Sequence, residues 1–205
     1  MIQVGPENSS EKIRLPKPNG QGKTSLEEAI RRRRTLRVFS EKELTQEQIG
    51  QLLWAAGGIT ETIDGADFRT APSAGATYPM ELYAITPQGA FHYFSKGHAL
   101  ETVKTQDIRS LLSTATKRQG LAAKAPLCIL ICAVFERVTQ KFGDRGIMYA
   151  HIEAGHIAQN IHLQAVALGL GSVPVGAFED QKLKEILGLP PEQEPLYIIP
   201  IGYAQ

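Results

Sequence analysis

Residues 125–135 read APLCILICAVF, eleven positions without a charge, and this run constrains the fold more than any other stretch. It is too short to cross a bilayer as a helix, which takes about 20 apolar residues. A strand with one wet face would alternate apolar and polar positions, whereas a run apolar throughout suits a strand covered on both faces. LCILICAVF is therefore expected to be a central strand, and the rest of the chain must supply a layer on either side. A chain of 205 residues can do so as one domain, burying roughly 70% of the surface it could expose.

The flanking sequence supplies mixed elements. Residues 1–24 carry Pro6, Pro16 and Pro18 without a periodic pattern and are read as an extended N-terminal arm; residues 25–205 are read as a single domain. Two capping boxes, Ser25 with Glu28 and Thr45 with Gln48, open helices. The first helix runs into a cluster of arginines, and Gly57 and Gly58 stop the second. MELYAIT and AFHYFS, separated by PQG, alternate like two hairpin strands. DIRSLLSTA is a short helix. Apolar positions 147, 150, 154, 157, 158, 161, 165 and 168 follow the helical period, with Gly169 as the stop. A strand at GSVPVG, a helix from Asp180 to Leu187 and a last strand at LYIIPIG complete the chain. No regular βαβ rhythm emerges, so the class is α+β. In the long helix, Ala150, Ala154, Gly155 and Ala158 form a small-residue stripe that suits either the core or a subunit interface.

Several function classes are excluded by spacing. The N-terminus lacks a basic segment followed by an apolar one, so no secretory signal is read, and a cytoplasmic protein without membrane contact is expected. Cys128 and Cys132 lie on one face of the expected strand about 13 Å apart, too far for a disulfide. They read as buried structural thiols. GKT at positions 22–24 lacks the glycine a phosphate-binding loop needs five positions earlier, where Lys17 stands. GLGSVPVG runs from helix to strand, opposite to a dinucleotide fingerprint. His151 and His156 in HIEAGH are five apart, about 140° around a helix, so no metal site is expected. Twenty-two basic and twenty-one acidic residues leave no basic face for nucleic acid.

The stretch RRRRTLRVF (residues 31–39) puts five arginines into seven positions. Cations near a helix C-terminus are favoured by the dipole, but four in a row surround the helix and repel one another. Arg37 lies beyond the helix, after Thr35. Guanidiniums beside a hydroxyl and free backbone N–H groups suit a phosphate or another oxyanion. From the residues alone, a solvated helix end and an anion site stand level.

The order SLEEAIRRRRTLRVFSEKELTQEQI, RTAPSAGATYPMELYAI, IEAGHIAQNIHLQAVALGLGSVPVGAFEDQKLKEILGL and PLYIIPIGYA resembles the nitroreductase family of flavoproteins. The branch it resembles most is the SagB-type dehydrogenases, which includes oxidases of peptide thiazolines and oxazolines. The resemblance implies a central, mainly antiparallel sheet flanked by helices, in a homodimer with FMN at the subunit interface. The family's Arg-x-Ser/Thr motif falls on Arg33, Arg34 and Thr35, expected to hold the FMN phosphate and ribityl chain. Arg37 would lie near the pyrimidine edge of the flavin. The Pro-Ser loop falls on Pro72, Ser73, Ala74 and Gly75, expected to contact FMN from the other subunit. The Pro-x-Gly strand end falls on Pro174, Val175 and Gly176, whose backbone would lie against the ring.

The implied activity is ping-pong transfer from NAD(P)H to a small acceptor such as a nitroaromatic or quinone, or oxidation of a modified peptide. A flavin-binding protein with little turnover is the alternative. No catalytic acid or base is assigned; Glu153 and His156, three apart on one helix, read as structural. Two departures from the family pattern stand out. Ala76 occupies a position where many nitroreductases carry Asn. The sequence ends at Gln205 without the basic residue that often completes the phosphate clamp, which leaves more of that load to Arg33 and Arg34.

Overall fold

The computed structural model describes residues 12–117 and 120–205. In chain order its elements are β1 (Ile13–Arg14), α1 (Leu26–Arg32), α2 (Gln46–Gly57), β2 (Ile59–Ile63), β3 (Ala66–Arg69), β4 (Met80–Thr86), β5 (Gly89–Phe94), β6 (Ala99–Lys104) and α3 (Arg109–Ala115). They continue with α4 (Leu121–Lys124), β7 (Leu127–Ala133), α5 (Glu136–Phe142), α6 (Arg145–Ala167), β8 (Gly171–Ser172), α7 (Asp180–Leu187) and β9 (Glu194–Gly202).

The all-apolar run is β7, an interior strand of a seven-stranded sheet in the order β1-β6-β5-β4-β7-β9-β8. Every pairing in that sheet is antiparallel. All seven side chains of β7 are buried, and they alternate between two cores. Leu127, Ile129 and Ile131 join Leu52 and Leu53 of α2 and Ile157 and Ile161 of α6. Cys128, Leu130 and Cys132 join Leu112 of α3 and Leu183 and Leu187 of α7. Each fully buried aliphatic side chain stabilises the fold by roughly 2 kcal/mol, so the strand holds both helical layers to one sheet. Both thiols are free and share the second core; burial pushes Cys128 up to about 12 and Cys132 higher still.

Local signals set the starts of the first two helices. Ser25 accepts from the Glu28 N–H at 3.1 Å, and Thr45 and Gln48 form a reciprocal capping box. The long helix begins at Arg145, two residues before the periodic pattern, and Ile147 is exposed. Ala150, Ala154 and Ala158 serve the core, while Gly155 is exposed with open space around it.

β6, α4 and α5 fall in stretches where the sequence reading placed no element, and three further findings depart from it. The strand expected over GSVPVG is only Gly171–Ser172. Pro174 has no N–H to donate, and pairing resumes as one isolated bridge between Val175 and Ile198. Within the arm, Ile13 and Arg14 pair with Leu100 and Ala99 and extend the sheet; the portion containing Pro6 lies outside the described residues. Residues 59–69 form a separate hairpin, β2 with β3. Among the described residues no helix is long and apolar enough to cross a membrane.

Candidate functional site

The segment leaving α1 and the segment leaving α6 meet at the β8 end of the sheet. Gly169, at φ 73°, turns the chain out of α6 so that β8 can pair with the end of β9, Gly171 opposite Gly202 and Ser172 opposite Ile201. Thr35 then bridges Ser172 in parallel, and the Leu36 N–H donates to the Ser172 carbonyl at 3.0 Å. A Cβ on Gly171 would collide with the Leu36 side chain, so this close approach needs glycine. Val175 fixes the other segment through reciprocal backbone bonds with Ile198, at 2.8 and 2.9 Å. Between the two segments lies a cleft of about 270 Å³, lined by Thr35, Arg37, Val173, Pro174, Val175, Gly176 and Ala177.

The arginines divide at the helix end. Arg31 and Arg32 form the last turn of α1, and Arg32 pairs with Glu28 at 3.1 Å. Arg33 is the C-cap, its N–H bonded to the Ala29 carbonyl at 2.9 Å. Arg34 folds back, donating from Nη1 to the carbonyls of Arg31 and Arg33 at 3.0 and 2.7 Å. It thereby satisfies carbonyls that the end of α1 leaves open. Among the described residues neither Arg33 nor Arg37 has a carboxylate partner. Arg37, an exposed cation with no such partner at a cleft wall, is available to an anion.

Below Arg33 sits a buried histidine. His162 of α6 shares a hydrogen bond with the Ser172 hydroxyl, Nδ1 to Oγ 2.7 Å. Burial, and then the Arg33 charge, push it down to about 4, so it is neutral at physiological pH. An uncharged donor and acceptor there ties α6 to the bridge that carries Thr35 without adding charge beneath the arginines.

The Pro-Ser loop lies elsewhere on the chain. Ala74–Ala76 form a single 3-10 turn against α6, and Pro72, Ser73, Ala74 and Gly75 do not line the cleft of their own chain. Gly75 (φ 58°), Ala76 (φ 54°) and Tyr78 (φ 45°) all sit in the left-handed region, which is unfavourable for the latter two. Contacts hold the loop from three sides. Ser73 Oγ accepts the Tyr78 N–H at 2.9 Å, the Tyr78 hydroxyl donates to the Asp67 carbonyl at 2.9 Å, and Arg69 stacks on the Tyr78 ring at 4.4 Å. From α5, Lys141 donates to the Gly75 carbonyl at 3.2 Å and Arg137 to the Tyr78 carbonyl at 3.2 Å.

Two buried polar residues beside these segments were not among the site residues expected from sequence. His162 and Glu153 are both buried; burial pushes the Glu153 carboxyl up to about 7, against lowering by Ser73 and Arg69, while His156 is exposed. The signal was present: each lies three or four positions from buried apolar residues of α6, Glu153 from Ala150 and Ile157, His162 from Ala158 and Ala165. A titratable residue inside an apolar helical stripe is rarely buried without a partner. Among the described residues no His, Cys, Asp and Glu cluster could hold a metal.

An antiparallel sheet, covered on both faces by helices, ends in a cleft whose lining includes a guanidinium group without a carboxylate partner. Comparison with known proteins supplies the class. The chain belongs to the Nitroreductase family, whose profile matches residues 30–203, and it is an oxidoreductase of that family. A protein of Methanocaldococcus jannaschii that bears the family's name is 38% identical over 183 residues, covering 86% of this chain and 90% of its own. The microcin B17-processing protein of Escherichia coli is 29% identical over 139 residues, 61% of this chain and 50% of that protein. Among solved structures, a nitroreductase-family protein of Ralstonia eutropha superposes with TM-score 0.86 at 30% identity, covering 98% of this chain and 92% of the other.

Proposed function

We propose that this protein is an FMN-dependent oxidoreductase acting as a homodimer, which takes electrons from NAD(P)H and passes them to a small acceptor such as a nitroaromatic or quinone. The observation that carries the reading is the unpaired charge of Arg37 in a cleft whose other wall is residues 173–177, with Arg33, also without a carboxylate partner, at the end of the helix that leads to Thr35. An anion that neutralises both cations fits the chemistry of that donor set.

In this reading Arg33 binds the phosphate with Thr35 beside it, and Arg34 steadies the helix end that presents them. Arg37 lies by the ring edge, where a fixed cation stabilises negative charge that develops on reduction. Gly176 lets backbone approach the ring; a Cβ there would already press on Tyr197, at 3.3 Å. When bound, FMN would supply the hydride chemistry that links the nicotinamide and the acceptor in ping-pong order. The loop at residues 72–75 completes the site from the second subunit and excludes water.

The dimer is supported by an apolar surface. Leu26 and Ile30 of α1 and Ile147, Met148 and Ile152 of α6 are each more than two-fifths exposed, and α1 packs on α6. Exposed large apolar side chains gathered on two packed helices suit an association surface.

A second reading, oxidation of a modified peptide, is favoured by the likeness to the microcin B17-processing protein. One preparation separates the outcomes. Purified protein is expected to be yellow, to release FMN identified by mass, and to bleach with NADH or NADPH in the absence of oxygen. Recolouring by a quinone or nitroaromatic supports the reductase. A yellow protein that no reduced nicotinamide bleaches supports flavin storage, and a colourless one that FMN does not restore overturns the flavin reading.

A further inference from the structure

We propose that Arg137 and Glu81 are positioning residues for the flavin-facing loop: Arg137, aimed by the Glu81 carboxylate, holds the Tyr78 carbonyl and with it the left-handed turn at residues 75–78, and FMN affinity depends on that hold. The inference rests on the proposed flavin site, because it takes the loop as that site's second half.

Tyr78 is the residue on which the loop leaves its turn. Its φ is 45°, strained for a bulky side chain, and Pro79 follows it. The proline ring pushes the residue before it towards extended backbone, at roughly φ −120°, so Tyr78 departs from its local preference twice over. Such a conformation persists only where surroundings impose it. Each polar group of Tyr78 has a different partner: Ser73 Oγ takes its N–H at 2.9 Å, the Asp67 carbonyl its hydroxyl at 2.9 Å, and Arg137 Nη1 its carbonyl at 3.2 Å. Ser73 belongs to the loop itself, and Asp67 to the hairpin outside the main sheet. Of the three, only the bond from Arg137 runs to the helical layer, because α5 packs on α6. The Val134 N–H, donating to the Pro79 carbonyl at 2.8 Å, brings the approach to α5 alongside the loop's exit.

Arg137 holds two groups with its two terminal nitrogens. While Nη1 meets the Tyr78 carbonyl, Nη2 pairs with Glu81 Oε1 at 2.5 Å. The other carboxylate oxygen, Oε2, shares a hydrogen bond with His92 Nε2 at 2.6 Å. His92 of β5 stands opposite Tyr83 of β4, which puts its ring on the face that also carries Glu81. The ring stacks on Tyr83 at 4.7 Å and packs against Phe94 at 4.6 Å, which fixes the nitrogen it offers to Glu81. Both carboxylate oxygens are therefore occupied, and the rigid guanidinium fork takes its direction from them. The Glu81 and Arg137 side chains are 15% and 44% exposed, so the carboxylate is the anchor and the arginine the reaching arm. Burial works against the Glu81 charge, but the bonds to His92 and Arg137 outweigh it and keep the carboxyl below its ordinary range. A partly exposed ion pair alone contributes little to stability; this one acts through the strained carbonyl it also holds.

The test uses the full-length protein and two measurements. In the free protein, hydrogen exchange is followed at the amides of Ala76, Thr77 and Tyr78, all of which are hydrogen-bonded within the loop. Arg137→Ala and Glu81→Ala should each speed exchange there by about five- to tenfold and leave the amides of β7 unchanged. With FMN, fluorescence titration should show affinity weakened about tenfold in Arg137→Ala, the loss of a charged hydrogen bond, and about fivefold in Glu81→Ala. The double variant should stay near tenfold, whereas independent effects would multiply to about fiftyfold. Arg137→Met keeps the apolar stem and should match Arg137→Ala. Unchanged FMN affinity in Arg137→Ala, a multiplicative double variant, or full recovery in Arg137→Met overturns the inference. Exchange that quickens equally in β7 also overturns it, because the pair would then act on the whole fold. Faster exchange confined to the loop, in a protein that binds no FMN, overturns the flavin reading and the dependence of FMN affinity on the pair, and leaves the hold on Tyr78 standing.

Discussion

The two halves of the proposed site are built on opposite principles. The cleft lined by Thr35 and Arg37 is conformationally ordinary: among the described residues none from 33 to 38 or from 171 to 177 has a positive φ. What it leaves open is charge. The Pro-Ser loop has three left-handed residues in four positions, yet the cations around it are engaged. Lys141 and Arg137 are spent on its carbonyls and Arg69 on Tyr78 and Glu153. One half waits for a ligand's charge, and the other holds a shape. Removing a cation should therefore act on affinity in the first half, and altering the loop should act on stability and order in the second.

The largest expected effect lies in the second half and concerns pH. The folded carboxyl of Glu153 is raised to about 7 from 4.5. Its contribution is thus fully favourable below pH 4.5, and it is lost as pH rises through 7. The cost amounts to about 3 kcal/mol, and Glu153→Gln should not pay it. Urea unfolding at pH 4.5 and 8 checks this through the change in the stability difference between the two proteins. An equal difference at both pH values breaks the contrast between the halves. In the first half, Arg33→Ala should weaken FMN binding by about 10- to 100-fold, the worth of a charge-assisted bond. Its melting temperature without flavin should stay close to wild type, and fluorescence titration and thermal denaturation report the two separately.

Smaller effects sharpen the comparison. Ala76→Gly should stabilise the protein by about 0.5–1 kcal/mol, because a Cβ at φ 54° costs more than the extra freedom glycine has when unfolded. A lowered melting temperature would show that the turn is not strained at Ala76. Arg31→Ala should change FMN affinity by less than about twofold, since Arg31 lies in the last turn of α1 and exposed helix-end charge is worth little.

How much of this was legible in the sequence follows from how local each signal is. β7 declared its two covered faces because no position in it is polar, and Thr45 with Gln48 marked a helix start by its own hydrogen bonds. The split of the arginine run came from the family resemblance, because the residues alone left a solvated helix end and an anion site level; the structure places Arg33 at the C-cap of the helix that Ser25 opens. The β2–β3 hairpin was missed although Asp64-Gly65 joins its strands, with φ 50° and 80°, the signature of a tight two-residue turn. The alternation around it is weak, and both strands are largely exposed. The burial of Glu153 was illegible for a different reason: it is set by tertiary packing of α6, and Ser73 and Arg69, which act on its carboxyl, lie 80 and 84 residues away in the chain.

A mixed-subunit experiment tests the split site most directly. Arg33→Ala removes the charge from one half. Gly75→Val, whose Cβ would meet Lys141 at 2.7 Å and Phe142 at 2.9 Å in a left-handed position, disrupts the other. Each variant alone should bind FMN weakly. Unfolded and refolded together in equal amounts, they should recover about a quarter of the wild-type FMN capacity, because half the dimers then carry one intact site. No recovery, with mixed dimers shown to form, would contradict a site shared between subunits.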